Sequence, residues 1–143
     1  PRELVDVAKG FKEYLSVIPE SKIAMEVGVS AMHDVTEGGV FGALWELGEA
    51  SGVGITAHLD KIPIKQETIE VCEVFKINPY MLISSGSMMI GCEKGNLLVE
   101  KLEEAGINAA VIGRATEGND RIVVSRDETR YIGPAGSDEL YKI

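Results

Sequence analysis

The sequence is poor in cysteine and histidine and has no long apolar run. Its two cysteines, Cys72 and Cys92, stand far apart without CxxC spacing, which is typical of reduced thiols in a cytosolic protein. With only two histidines beside them, no metal quartet forms unless carboxylates contribute, and no metal ligand is predicted. No apolar stretch is long enough to span a bilayer and no signal peptide opens the sequence, so no membrane partner is expected.

Positive charge is also scarce. The sequence has 14 Lys and Arg against 23 Asp and Glu, a formal net charge of -9. Nucleic acids and anionic membranes need a positive face, so neither class of partner is expected. Two nucleotide motifs are missing as well. Glu37 occupies the first glycine position of a dinucleotide-binding fingerprint, and the Gly-Lys-Ser/Thr of a P-loop does not occur.

What is present is a pattern of alternating helices and strands in 143 residues, a length that suits one domain. The apolar spacing predicts helices at 2–17, 19–30, 39–50, 63–75 and 95–106. It predicts strands at 31–35 (short and buried), 54–61, 86–93, 108–116, 120–126 and 128–132. The turn in EGND predicts that the fourth and fifth strands run antiparallel. Interleaved elements of this kind predict a mixed α/β domain. Because the sequence starts at Pro1, directly in a helical pattern, we expect a domain cut from a longer protein.

The stretch HDVTEGG is the first candidate site. Gly38 and Gly39 allow a tight turn and a close approach to the backbone, and a helix follows whose first N–H groups and dipole favour an anion. This arrangement predicts a phosphate cradle. The alternative is a plain capped helix with Thr36 as the N-cap. Glu37 leaves the choice open, because a carboxylate there stabilises the helix but repels phosphate.

The stretch SSGSMM is the second candidate site. Ser85, Gly86 and Ser87 offer hydroxyls and amides at the start of a strand, either to a ligand or as a polar turn before the strand. His33 and Asp34 are neighbours on a predicted strand, so their side chains point to opposite faces and make a poor catalytic dyad. No catalytic residue is assigned from the sequence.

Three stretches resemble the C-terminal domain of the aminoimidazole ribonucleotide (AIR) synthase superfamily. MHDVTEGGVFGAL resembles its Asp-x-Thr-x-Gly-Gly signature, ISSGSMMIGCE its Ser-Gly strand, and AAVIGRATEG its Ile-Gly-x-(Ala/Thr) strand, in the same order. The residues MHDVTEGG are most similar to the AIR synthase-related, hydrogenase expression/formation branch of the superfamily. The resemblance covers nearly the whole chain and implies a three-layer α/β/α fold with a mixed, partly antiparallel sheet.

The resemblance also implies a function. It implies that residues 1–143 are the C-terminal domain of an ATP-dependent cytoplasmic enzyme, which uses ATP and Mg²⁺ to activate an oxygen of a small substrate by phosphoryl transfer. The N-terminal ATP-binding domain of the family is absent from this chain, so we expect no turnover by the chain alone and a homodimer for the full-length form. By resemblance, the residues that face substrate or phosphate are Asp34, Thr36, Gly38 and Gly39, with Ser85, Gly86 and Ser87 nearby.

Two alternatives remain beside the enzyme. One is a non-catalytic ligand-binding or dimerisation module that retains the fold, and the other is a structural domain whose glycine loop is only a turn. Nitrile-forming members of the family end in a cysteine that carries the substrate group, whereas this sequence ends in SDELYKI. If that is the natural end, the resemblance implies a related but different acceptor.

Overall fold

The computed structural model describes residues 2–126 and 128–143. Its α-helices are α1 (Arg2–Gly10), α2 (Ile18–Val27), α3 (Gly39–Ser51), α4 (Gln66–Phe75) and α5 (Gly95–Glu104). Its strands are β1 (Ala31–Asp34), β2 (Gly54–His58), β3 (Met88–Gly91), β4 (Gly113–Thr116), β5 (Arg121–Ser125) and β6 (Glu128–Tyr131). Short 3-10 helices lie at Phe11–Tyr14, Leu59–Lys61, Pro79–Met81 and Glu139–Lys142. Among the described residues, no helix has the length and apolar content needed to cross a bilayer.

The strands of the described residues form two sheets around α3. One sheet is the antiparallel pair β1–β3, and the other has the order β4-β2-β5-β6 with β2 and β5 parallel and the other pairs antiparallel. Helix α3 packs against strands of both sheets. This mixed α/β architecture confirms the fold class predicted from the sequence.

The main core lies between α3 and the four-stranded sheet. It consists of the buried side chains Leu44, Ile55, Ala57 and Val123. Ile55 and Ala57 share one face of β2, as the alternation of that strand predicts. A smaller core forms where α2 packs on α5, around Ala24, Leu98 and Leu102.

The helix ends follow their local sequence. Pro19 lies in the first turn of α2, where a missing N–H costs no helical hydrogen bond. Gly52 ends α3 in the left-handed conformation and donates its N–H to the carbonyls of Gly48 and Glu49. The predicted helix at 2–17 is wrong in its second half: the α-helix ends at Gly10, a poor helix former, and a 3-10 turn follows.

Two strand predictions also need correction. The strand at 31–34 is partly exposed rather than buried, because among the described strands it pairs with β3 alone. The fourth and fifth strands do run antiparallel, but they are not neighbours, since β2 lies between them. Strand β2 carries two core residues, Ile55 and Ala57. It takes an interior position in the sheet, with a hydrogen-bonded strand on each side.

Candidate functional site

Pairing of β1 with β3 brings the two candidate motifs together. The strands are antiparallel with Asp34 opposite Met88, so the end of β1 lies beside the start of β3. The N–H of Val35 continues the ladder and donates to the carbonyl of Ser87 at 2.9 Å. Val35 itself is buried, which anchors this edge to the protein. The structure therefore places the HDVTEGG and SSGSMM stretches at one edge of the small sheet.

The polar side chains at this edge are accessible. Asp34, Ser85 and Ser87 are exposed, and Thr36 is half-buried. The serine segment is a turn, in which the Ser87 N–H donates to the carbonyl of Ser84 and the Ser84 hydroxyl donates to the carbonyl of Leu82. This edge therefore presents the Asp34 carboxylate and the hydroxyls of Thr36, Ser85 and Ser87, with Glu37 as a second exposed carboxylate in the same loop.

The His33 ring contacts both β1 and α3: its Nδ1 is within hydrogen-bond distance of the backbone carbonyl of Asp34. Its Nε2 is 3.0 Å from Oε2 of Glu46 on α3. Exposure alternates along β1, with His33 half-buried and Asp34 exposed. The two side chains do not form a dyad, as the strand alternation predicts.

The glycines of the loop approach other parts of the same chain. Gly39 has φ +62, and a Cβ added there would lie 2.6 Å from the carbonyl oxygen of Leu82 and 2.7 Å from that of Tyr80. Gly38 has φ +80, and a Cβ there would lie 2.7 Å from Cβ of Ala135. Both positions therefore need glycine for conformation and for space. Gly86, with φ +96, similarly faces the carbonyl of Tyr14.

The carboxylate of Asp138, an anion of the protein itself, lies at the start of α3. The N–H of Gly38 donates to Oδ2 of Asp138 at 2.7 Å, and the N–H of Gly39 donates to the carbonyl of Thr36 at 3.1 Å. The N–H groups of both glycines are therefore hydrogen-bonded within the chain. The attraction of this helix end for an anion is satisfied by a carboxylate from the C-terminal segment, residues 133–143.

Asp138 and Glu139 are functional candidates that the sequence-based reasoning missed. Both side chains are buried, each with 3% exposure. Burial alone would raise the pKa of Asp138, but hydrogen bonds from the N–H groups of Leu140, Gly38 and Ile83 outweigh it and lower the pKa below its ordinary value. Asp138 caps the 3-10 helix that follows it, and a cap of this kind is readable from SDEL, whereas its partners far away in the chain are not.

The Glu139 side chain joins the same C-terminal segment to Asn78. The side chain of Lys142 donates to its Oε1, and the N–H of Asn78 donates to its Oε2 at 3.2 Å. The hydrogen bond from Lys142 is the main cause that lowers the pKa of Glu139; burial opposes it, and the N–H of Asn78 adds to the lowering. The C-terminal segment is therefore held by two buried carboxylates.

The described residues show neither a metal-ligand cluster nor an ATP-sized cavity at the candidate site. Among residues 2–126 and 128–143, no three His, Cys, Asp or Glu side chains cluster as metal ligands. One cavity of about 190 Å³ lies under the C-terminal segment, between Gly38, Phe41, Met81 and residues 130–137. Ligand pockets enclose about 300–1,000 Å³. A second cavity of about 320 Å³ reaches that range, but it lies between α2 and α5, where residues such as Val27 and Leu97 line it.

This geometry defines a mixed α/β domain with an exposed polar edge beside a glycine loop. The family model described as AIR synthase related protein, C-terminal domain, matches residues 4–125. The chain belongs to that family. The matched range includes every candidate residue at the β1–β3 edge and excludes Asp138.

Curated relatives are longer proteins. A putative hydrogenase expression/formation protein of Methanocaldococcus jannaschii is 33% identical over 102 residues, covering 68% of this chain and 30% of that protein. The carbamoyl dehydratase HypE of Rhodobacter capsulatus is 28% identical over 97 residues, covering 65% of this chain and 28% of that protein. The chain thus spans about a third of the length of these relatives.

Solved structures share the fold. The crystal structure of E. coli HypE, a hydrogenase maturation protein, has a TM-score of 0.76 and 23% identity, covering 88% of this chain and 42% of that chain. A crystal structure of HypE in complex with ATP has a TM-score of 0.71 and 20% identity, covering 81% of this chain and 39% of that chain. These likenesses confirm the AIR synthase C-terminal type of fold.

Proposed function

We propose that this chain is the substrate- and phosphate-facing domain of an ATP-dependent enzyme, which activates an oxygen of a small substrate by phosphoryl transfer. The observation that carries the proposal is the β1–β3 pairing, which puts Asp34 and three hydroxyls on one exposed edge. A relative also supports the proposal: HypE, a longer protein of the same fold, has been crystallised with ATP.

The domain contributes positioning rather than a nucleophile. Catalysis of phosphoryl transfer rests mainly on orientation and on donors aimed at developing negative charge. The hydroxyls of Thr36, Ser85 and Ser87 are donors for anionic oxygens, and Asp34 accepts a hydrogen bond from a substrate donor. Gly38, Gly39 and Gly86 shape the backbone that holds these side chains. ATP supplies the phosphoryl group, and we assign its site and that of Mg²⁺ to a separate ATP-binding domain.

A thermal-shift titration tests the proposed edge. The chain is titrated with inorganic phosphate, ADP and Mg·ATP at constant ionic strength, with chloride as the control salt. A ligand that binds only the folded state stabilises it by about 2.7 kcal/mol at 100 times its Kd. We expect a rise in Tm with at least one of these ligands, and we expect Thr36→Val to reduce it.

Thr129→Val is the matched control, because Thr129 is exposed on β6 in the other sheet. We expect it to leave the ligand-dependent rise in Tm unchanged. A titration in which none of the three ligands stabilises the wild-type chain, or in which both variants behave alike, contradicts the proposed site. Two further expectations of the resemblance stay predictions: the chain alone hydrolyses no ATP, and the full-length protein is a homodimer.

One observation favours the alternative of a non-catalytic module. The Gly38 N–H, which a phosphate-binding loop would offer to its ligand, already donates to Asp138. A dimerisation module, unlike a ligand-binding one, has no need of the hydroxyl edge. If Thr36→Val and Ser87→Ala abolish the ATP-dependent activity of the intact protein without changing its stability, the enzyme is favoured. If that activity is unchanged, the module is favoured.

A further inference from the structure

The Asp138 carboxylate joins three separate parts of the chain. Its Oδ2 accepts from the N–H of Gly38 at 2.7 Å, and its Oδ1 accepts from the N–H of Leu140 at 2.8 Å. The N–H of Ile83 also contributes to lowering the pKa of this carboxylate. Gly38 belongs to the loop after β1, and Ile83 belongs to the segment that leads into the serine turn. One side chain thus bridges the two stretches that form the candidate site.

The shape of the loop fits this internal carboxylate. Ala135 lies against both Gly38 and Gly42, because a Cβ at either glycine would come within 2.7 Å and 3.3 Å of its Cβ, respectively. The small residues at the start of α3 therefore make room for the C-terminal segment. The unpaired N–H groups of a helix N-terminus attract negative charge, which is what Asp138 supplies here.

The charge of Asp138 is kept in spite of burial. Its side chain is 3% exposed, and the pKa is nevertheless lowered, because the three N–H donors outweigh the cost of desolvation. A buried charge persists only when it is fully hydrogen-bonded.

We propose that Asp138 is a positioning residue, an internal anion that fills the N-terminus of α3 and holds the Asp34–Gly39 loop against the segment Leu82–Ser87. In consequence an anionic group of the substrate meets the hydroxyls of Thr36, Ser85 and Ser87 instead of the Gly38 amide. This inference rests on the proposed function only for the identity of the site that Asp138 positions.

Chemical rescue by a small carboxylate tests the inference. Asp138→Ala removes the anion and leaves space for formate. We expect this variant to have a lower Tm than the wild type and expect formate, compared with chloride at equal ionic strength, to restore at least half of the loss. Amide NMR signals of Val35 and Ser87 move in the variant and return toward their wild-type positions with formate. A side chain that only anchors residues 133–143 would leave the Val35 and Ser87 signals unmoved in the variant.

Two other variants complete the test. Glu139→Gln alters a buried carboxylate of the same segment that contacts Asn78 rather than the loop, and formate has no effect on it beyond that of chloride. If Asp138→Ala fails to fold without formate, folding induced by formate supports the inference. If formate does not induce folding, the Gly38 amide signal of Asp138→Asn decides. The Gly38 amide signal shifts in Asp138→Asn because its charged acceptor is lost.

Three results overturn the inference. They are an unshifted Gly38 amide in Asp138→Asn, an absence of formate rescue in a folded Asp138→Ala, and an equal response to formate in Glu139→Gln. These readouts use no phosphate or nucleotide, so a failure of the ligand titration of the wild-type chain concerns the proposed function alone.

Discussion

Replacing Gly39 by alanine tests whether the glycine loop is shaped by contact with the rest of the chain. Gly39 has φ +62, and an alanine there pays about 1–2 kcal/mol for the left-handed conformation. Its Cβ also meets backbone oxygens of Leu82 and Tyr80 at 2.6 Å and 2.7 Å, and backbone atoms yield little. Overpacking of this kind costs about 1–3 kcal/mol. We therefore expect Gly39→Ala to lower the free energy of unfolding by about 2–5 kcal/mol.

Gly52→Ala is the matched control at the other end of α3. Gly52 has φ +65 but a Cβ there meets nothing within 4 Å, so only the conformational cost of about 1–2 kcal/mol applies. The assay is denaturant unfolding followed by the fluorescence of Trp45, the single tryptophan, which lies on α3. Equal losses in the two variants would refute the close approach as the reason for Gly39.

Two further predictions concern the buried carboxylates and the thiols. Since the pKa values of Asp138 and Glu139 are lowered in the folded state, both acids stabilise the fold at neutral pH, and the unfolding free energy falls as the pH drops below their ordinary values of 3.8 and 4.5. Denaturant unfolding from about pH 7 to about pH 3 should show this fall, with a shallower slope for Asp138→Asn; an equal slope contradicts it. Cys72 is 1% exposed, and burial followed by the charge of Glu139 raises its thiol pKa, so a thiol reagent should label the half-buried Cys92 first and Cys72 only on unfolding. Peptide mass spectrometry reads the order, and equal labelling of both thiols under native conditions would disprove it.

Local signals predicted much of this fold. Helix α3 is a clear case, because its apolar spacing and the glycine at its end are both local features of the sequence. The alternation of β2 likewise predicted which of its residues enter the core. The position of β2 between β4 and β5 was not readable, because the EGND turn sets the direction of its two strands and not their separation.

The candidate site was predictable only in part. The two glycines of HDVTEGG indicate a close approach of some group, yet local sequence does not say which. The structure gives Ala135, Leu82 and Tyr80 as the neighbours and Asp138 as the anion. Asp138 lies 100 residues beyond Gly38, and no periodicity or spacing relates the two positions. Long-range pairing of this kind follows from the packed fold rather than from any local pattern.

In the function we propose, the edge formed by β1 and β3 faces the substrate and its phosphate. Amide NMR spectra of the chain titrated with inorganic phosphate, ADP and Mg·ATP test it most directly. We expect saturable shifts of the amides of Asp34, Thr36, Ser85 and Ser87, with those of the exposed strand β6 unchanged. Saturable shifts confined to other surfaces, or none at the β1–β3 edge, would contradict it.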